Sequence, residues 1–156
     1  MIKINLYVIG SIKEKYMIDE INEYLKRLSK YSKVNIIELK ESKIQNKDPL
    51  LILEEESNEI LKRLEKDEFL FLLDLHGKII SSEEFASKIS SLIDLGKGKI
   101  SFAIGGTLGV SDKLRVRADF KLSISKMTFT HQMTRCIILE QIYRAFKIIN
   151  NESYHH

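Results

Sequence analysis

The sequence predicts an α/β fold, a largely parallel sheet flanked by helices, and three observations carry that expectation. Strand-like and helix-like segments alternate from one end of the chain to the other, the pattern of crossover-connected parallel strands. The interior run 69–73 (FLFLL) is wholly apolar and 100–104 (ISFAI) nearly so, as strands covered on both faces are. One proline, Pro49, and seven glycines in 156 residues leave no linker composition. A chain of this length is about one domain's worth, so a single domain over 1–156 is expected.

Each element follows from its local pattern. Residues 2–9 (IKINLYVI) alternate apolar and polar, then run apolar, which reads as a first strand. Over 14–30, Tyr16, Ile21, Tyr24, Leu25 and Leu28 recur at helical spacing. A second strand is predicted over 34–39. An amphipathic helix follows over 49–64, with Leu50, Leu53, Ile60, Leu61 and Leu64 apolar. After the 69–73 strand, 82–95 reads as a helix with Ser82 as its N-cap and Phe85, Ile89 and Leu92 on one face. The 100–104 strand ends in Gly105-Gly106. A short helix from Ser111, a last strand over 120–124 and a final helix over 131–149, capped by Thr128 or Thr130, complete the chain.

Composition narrows the function classes. With 44% hydrophobic residues the chain can build a core without disulfides or metal. The single cysteine, Cys136, excludes an intramolecular disulfide and a multi-cysteine zinc site, and its apolar helical setting reads as an inert buried thiol. The four histidines have no ligand spacing, so no metal is expected. No apolar run reaches roughly 18 residues, and the amino terminus reads as a strand rather than a leader. A cytoplasmic protein with no membrane span is expected. Net charge is only +3, from 25 basic and 22 acidic residues, too little to argue nucleic-acid binding without clustering.

Ligands in open α/β sheets bind beyond the carboxyl ends of strands. Three such ends are candidates: LDLHG (73–77), IGGTLG (104–109) and the segment from Ile124 to Phe129. GGxxG is neither GxGxxG nor a Walker loop, and a tight turn using glycine freedom explains it better than a nucleotide site does. HExxH, GxSxG and spaced carboxylate pairs are absent. The last helix is apolar nearly all round, which predicts cover on more than one side, the sheet on one and a second subunit on the other. Within it, Glu140 and Arg144 are spaced for an ordinary intrahelical pair. Arg135 has no acidic residue three or four positions away, so it is expected to be available to a phosphate or a partner chain.

Taken together, LDLHGK with SSEEFA, IGGTLG, SISKMTFTHQMTR (123–135), EQIYRAFKI and the terminal SYH resemble the RlmH family, SPOUT-class methyltransferases of large-subunit ribosomal RNA. VIGSIKEKY and EYLKRL near the amino terminus fit the same family, so the resemblance covers essentially the whole chain in order and spacing. It implies a sheet whose carboxyl-terminal portion is threaded into a deep trefoil knot, an exception to the usual unknotted chain. It implies a homodimer that uses S-adenosylmethionine to methylate N3 of a pseudouridine in helix 69 of 23S rRNA, on the assembled ribosome. Matched by position, the cofactor contacts implied are Leu73, Gly105, Ile124, Ser125, Lys126, Met127, Thr128 and Phe129.

Those residue types suit a cofactor without phosphate: backbone groups for adenine, apolar walls for the rest. Methyl transfer is an in-line displacement that rests mostly on positioning. His131 and His155 are the titratable candidates for accepting the base's N3 proton, although packing at the helix start explains His131 equally well and His155 stands in the tail. Arg135 is a catalytic candidate beside the two histidines and, with Lys13, Lys15 and Arg144, the expected RNA contact, with Lys113, Arg115 and Arg117 as further basic residues after the glycine turn; singly, such residues are more often solvated surface. The chain departs from the family pattern at Thr130, where proline is usual, at Leu108, where a polar residue is expected, and in its terminal His156. A non-catalytic RNA-binding protein on the same scaffold and a flavodoxin-like nucleotide module are the competing readings. The latter is poorly served by Gly10-Ser11-Ile12-Lys13.

Overall fold

The computed structural model describes residues 1–42 and 48–154. In chain order the elements are β1 (Ile2–Ile9), α1 (Lys15–Leu28), β2 (Ser32–Leu39), α2 (Pro49–Arg63), β3 (Phe69–Ile79), α3 (Ser82–Asp94), β4 (Lys99–Ile104), α4 (Asp112–Arg117), β5 (Phe120–Ser123) and α5 (His131–Ile149). The strands form one parallel sheet in the order β2-β1-β4-β3-β5. All the strand ends therefore open on one edge, the geometry that places a ligand site in such sheets.

The pattern of β1 explains the layers. Ile4, Leu6 and Val8 face a core shared with α1, α3 and α5, while Tyr7 and Ile9 face a second core with α2 and α4. A strand covered on both faces has no side left for polar residues, which is why IKINLYVI ends apolar. At the centre, Phe71 of β3 pairs in register with Phe102 of β4, and their rings stack 4.9 Å apart. Phe85 of α3 meets both rings obliquely. Cys136 is buried in this layer, and burial pushes its thiol up, as expected of an inert side chain.

Several expectations are corrected. The cap of α3 is Ser81, not Ser82: Ser81 Oγ accepts from the Glu84 N–H at 3.0 Å and the Glu84 carboxylate accepts from the Ser81 N–H, a reciprocal capping box. The Ser82 hydroxyl instead donates to Gln141 Oε1 at 2.8 Å, joining α3 to α5. The run predicted as 69–73 continues to Ile79, because the register shifts and Lys78 and Ile79 pair again with Leu122 and Ser123. Residues 74–77 are the excursion between the two pairings. Part of the apolar breadth of α5 is covered by α1 and α3, which pack against it in addition to the sheet. Between the two threonines, Thr130 is the cap, its hydroxyl accepting from the Met133 N–H at 3.1 Å. No helix among the described residues is long and apolar enough to cross a membrane.

Candidate active site

A cleft of about 810 Å³ opens at the carboxyl edge of the sheet. Three pieces of irregular chain surround it: the excursion after Leu73, the glycine turn after β4 and the segment joining β5 to α5. Of the expected cofactor contacts, Leu73, Gly105, Ile124, Ser125, Met127, Thr128 and Phe129 line it, as does His131. Lys126 belongs to the same segment and is exposed.

The glycines are there for space. A Cβ on Gly105 would overlap the carbonyl oxygen of Gly109 and stand 2.8 Å from Val110 Cγ1. Gly109 adopts a left-handed φ of 93° and returns its N–H to the Gly106 carbonyl at 3.0 Å. From the other layer, α2 braces the turn: Glu56 stands against Gly106, and Ser57 Oγ accepts from the Ser111 N–H at 3.1 Å. The β5–α5 segment is shaped by its own serines. Ser123 Oγ donates to the Ser125 carbonyl at 2.9 Å, and Ser125 Oγ accepts from the Met127 N–H at 3.0 Å, a local turn that replaces strand pairing. Met127 and Phe129 are left 76% and 46% exposed at the cleft mouth.

His131 stands where α5 begins. Its Nδ1 is buried without a hydrogen-bond partner among the described residues. Burial, then the charge of Arg135, hold its pKa below the usual imidazole value against a weaker opposing pull from Glu41. The ring is therefore neutral at neutral pH, the form that accepts a proton.

Arg135 does not behave as the sequence suggests. Its side chain is 2% exposed, with Nη2 donating to the carbonyls of Ile9 at 2.8 Å and Gly10 at 2.9 Å, and Nη1 to Glu38 at 3.3 Å. The missing intrahelical partner is replaced by backbone acceptors on another element, so the guanidinium is neither a surface cation nor part of the cleft lining. Arg144 takes its alternative reading: Nη2 donates to Glu140 at 2.6 Å, and the guanidinium lies 3.8 Å from the Tyr154 ring centroid. Lys13 and Lys15 are exposed beyond β1, Lys15 paired with Asp19 at 2.7 Å. His155 and His156 lie outside the described residues. Among those described, no group of three or more His, Cys, Asp or Glu side chains is placed to hold a metal ion.

With the cleft on the page, the relatives decide the family. A model of predicted SPOUT methyltransferases matches residues 2–155. The chain belongs to the SPOUT methyltransferase family. SPOUT relatives run nearly its whole length. One from Methanococcus maripaludis, provisionally named ribosomal RNA large subunit methyltransferase H, is 51% identical over 97% of this chain and 98% of its own. Those of Clostridium acetobutylicum and Acetivibrio thermocellus, named ribosomal RNA large subunit methyltransferase H outright, are each 48% identical, covering 97% and 98% of this chain and 98% and 99% of their own. A structure from Haemophilus influenzae, provisionally described as a methylase family protein, matches with a TM-score of 0.55 at 14% identity, over 98% of this chain and 70% of that one. Another from Legionella pneumophila, provisionally described as a methyltransferase and solved with S-adenosylmethionine, matches at 0.54 and 13% identity over 93% and 66%. At such identities the structural likeness shows the SPOUT fold alone.

Asp74 was not singled out as a site residue from the sequence, and Arg115 was noted only among the basic residues after the glycine turn. Asp74 and Arg115 of the SPOUT chain both line the cleft, joined by an ion pair of 3.1 Å from Nε to Oδ2. The strand-end position of Asp74 in LDLHG was the available signal; for Arg115, on α4, there was none beyond its charge.

Proposed function

We infer that this chain is an S-adenosylmethionine-dependent methyltransferase of large-subunit ribosomal RNA, acting at N3 of a pseudouridine in helix 69 of 23S rRNA on the assembled ribosome. The observation that carries the reading is the convergence of Leu73, Gly105 and residues 124–129 on one cleft at the strand ends, in a SPOUT chain whose near-full-length relatives are named for rRNA methylation.

The residues fit the cofactor. Its adenosine needs backbone hydrogen-bonding groups at close range and apolar walls. Gly105, where no side chain fits, brings backbone to the surface of the cleft, and Leu73, Ile124, Met127 and Phe129 supply the walls. A triphosphate would need more cations than the single Arg that the described residues contribute to the lining. When bound, the cofactor supplies an electrophilic methyl group on a sulfonium. The chain's own part is to fix the angle of approach and keep water out. As N3 gains the methyl its proton must leave, and the neutral His131 imidazole at the cleft is the group we assign to receive it.

Lys13 and Lys15, exposed at the same edge of the sheet, are assigned to RNA phosphate. Arg135 and Arg144 are given structural duties instead. The exposed Met127, Phe129 and Met133 support a homodimer in which a second copy covers the cleft mouth. The reading carries with it the knotted carboxyl-terminal threading of the family, and the cytoplasm, where ribosomes are.

Calorimetry with S-adenosylmethionine tests the cofactor: saturable binding is expected, and none at millimolar ligand would end the enzyme reading. Methyl incorporation into ribosomes and into naked 23S rRNA, both lacking the modification, tests the substrate. Ribosomes should be the acceptor; transfer to free RNA alone would refute the assignment.

A further inference from the structure

Among the described residues, the cleft carries one carboxylate and one guanidinium, and they touch. Among the described residues that line it, Asp74 is the only Asp or Glu and Arg115 the only Lys or Arg. Asp74 follows Leu73 directly and its side chain is 5% exposed. Its Oδ1 accepts from the His76 N–H at 3.1 Å and its Oδ2 from Arg115 Nε at 3.1 Å. One bond to each oxygen leaves each with acceptor capacity. Arg115 uses Nε on Asp74 and Nη1 on Asp112 at 2.9 Å, while Nη2 bonds to no described residue. Its side chain remains 36% exposed, so one limb of the fork is held and the other is presented.

A carboxylate with spare acceptors beside a guanidinium with a spare donor edge is the complement of a zwitterion. An α-ammonium offers donors to the carboxylate, and an α-carboxylate accepts from the fork. The methyl donor ends in that group, which the apolar walls of Leu73, Ile124, Met127 and Phe129 cannot satisfy, since burying unpaired charge is costly. We propose that Asp74 and Arg115 form the subsite for the amino-acid end of the cofactor, Asp74 taking the ammonium and Arg115 the carboxylate. The proposal rests on the methyltransferase reading above and adds to it a division of the cleft, adenosine held by backbone and apolar wall, amino acid by charge.

The test compares S-adenosylmethionine and S-adenosylhomocysteine with 5′-methylthioadenosine, which lacks the amino-acid end, by calorimetry on the full chain. Arg115→Gln and Asp74→Asn should each weaken the first two about tenfold, the scale of a lost charge-assisted hydrogen bond, and leave 5′-methylthioadenosine unchanged. Arg115→Lys should recover part of the loss. Equal weakening of all three ligands would mean that the pair only shapes the cleft, and overturns the proposal. Unchanged cofactor affinity with a raised KM for ribosomes would assign Arg115 to RNA phosphate and overturn it as well. If Asp74→Asn does not fold, Arg115→Gln, on a part-exposed side chain, decides alone. Failure of the wild-type chain to bind any of the three would defeat the cofactor reading itself, an outcome distinct from any variant result.

Discussion

Arg135, about one turn into α5, hydrogen-bonds the carbonyl of Gly10, 125 residues earlier, at 2.9 Å. The same nitrogen reaches Ile9, and Gly10 turns away from the strand with a left-handed φ of 81°. One buried cation thus closes the end of β1 and fixes the start of α5 beside the cleft.

Replacing Arg135 with alanine should therefore cost about 3 kcal/mol or more of folding stability, because buried carbonyls lose their donor. Arg135→Lys should remain strongly destabilised, since a point cation cannot reproduce a fork. Glu38→Gln, on a half-exposed side chain, should change stability by less than about 1 kcal/mol. Chemical denaturation of the three variants checks the ranking; a mild stability loss in Arg135→Ala with weakened affinity for ribosomes would contradict the structural assignment.

Gly105→Ala should lower the melting temperature and abolish cofactor binding, because the new methyl group meets backbone at Gly109 that has no rotamer to escape into. Gly98→Ala is the contrast. Nothing lies within 4 Å of a Cβ there and its φ is outside the left-handed region, so it should be neutral or stabilising by about 0.4–1 kcal/mol. Calorimetric binding and thermal melts on both variants separate a local steric effect from a general intolerance of glycine loss.

The lowered pKa of His131 has a definite sign. Its folded value lies below the unfolded reference of 6.5, so the unfolded chain binds the extra proton first as pH falls. The contribution to stability is fully present above the reference value, declines as pH falls below it, and is gone below the folded value. Methyl transfer should stay on its plateau down to the reference pH and fall only at lower pH. His131→Gln should remove that inflection from both the rate and the stability profiles. An unchanged rate profile in the variant would take the proton-acceptor role from His131.

Thr130→Ala should cost about 1 kcal/mol through loss of the cap on Met133. Thr130→Pro is expected to fold, because φ at this position is −62°, the value a proline ring imposes. It exchanges a hydroxyl acceptor for a stiffer chain. Equilibrium unfolding should place the proline variant between wild type and alanine, with cofactor affinity retained.

What the sequence made legible follows from the range of the forces involved. The alternation of β1 and the apolar run at 69–73 report burial directly, so the parallel sheet and its helical cover could be read from local pattern. The site was legible only as a strand-end segment until the family resemblance assigned residues 124–129. The extension of β3 was hidden because Lys78 and Ile79 pair through a register shift with β5, a partner more than forty residues on. The cap of α3 was ambiguous because Ser81 and Ser82 are adjacent and only the neighbouring helix decides which hydroxyl points inward. Arg135 misled for the same reason: its acceptors are backbone oxygens at the far end of the chain, and no spacing rule reaches them.

The seat of α5 between α1 and α3 has a consequence for how the protein is made. During synthesis every element before α5 is made while the face of the sheet that α1 and α3 partly cover still lacks Ile138, Leu139, Ile142 and Phe146, which complete that core. A nascent chain stalled before residue 131 would present the unfilled part of that apolar layer to chaperones rather than to α5.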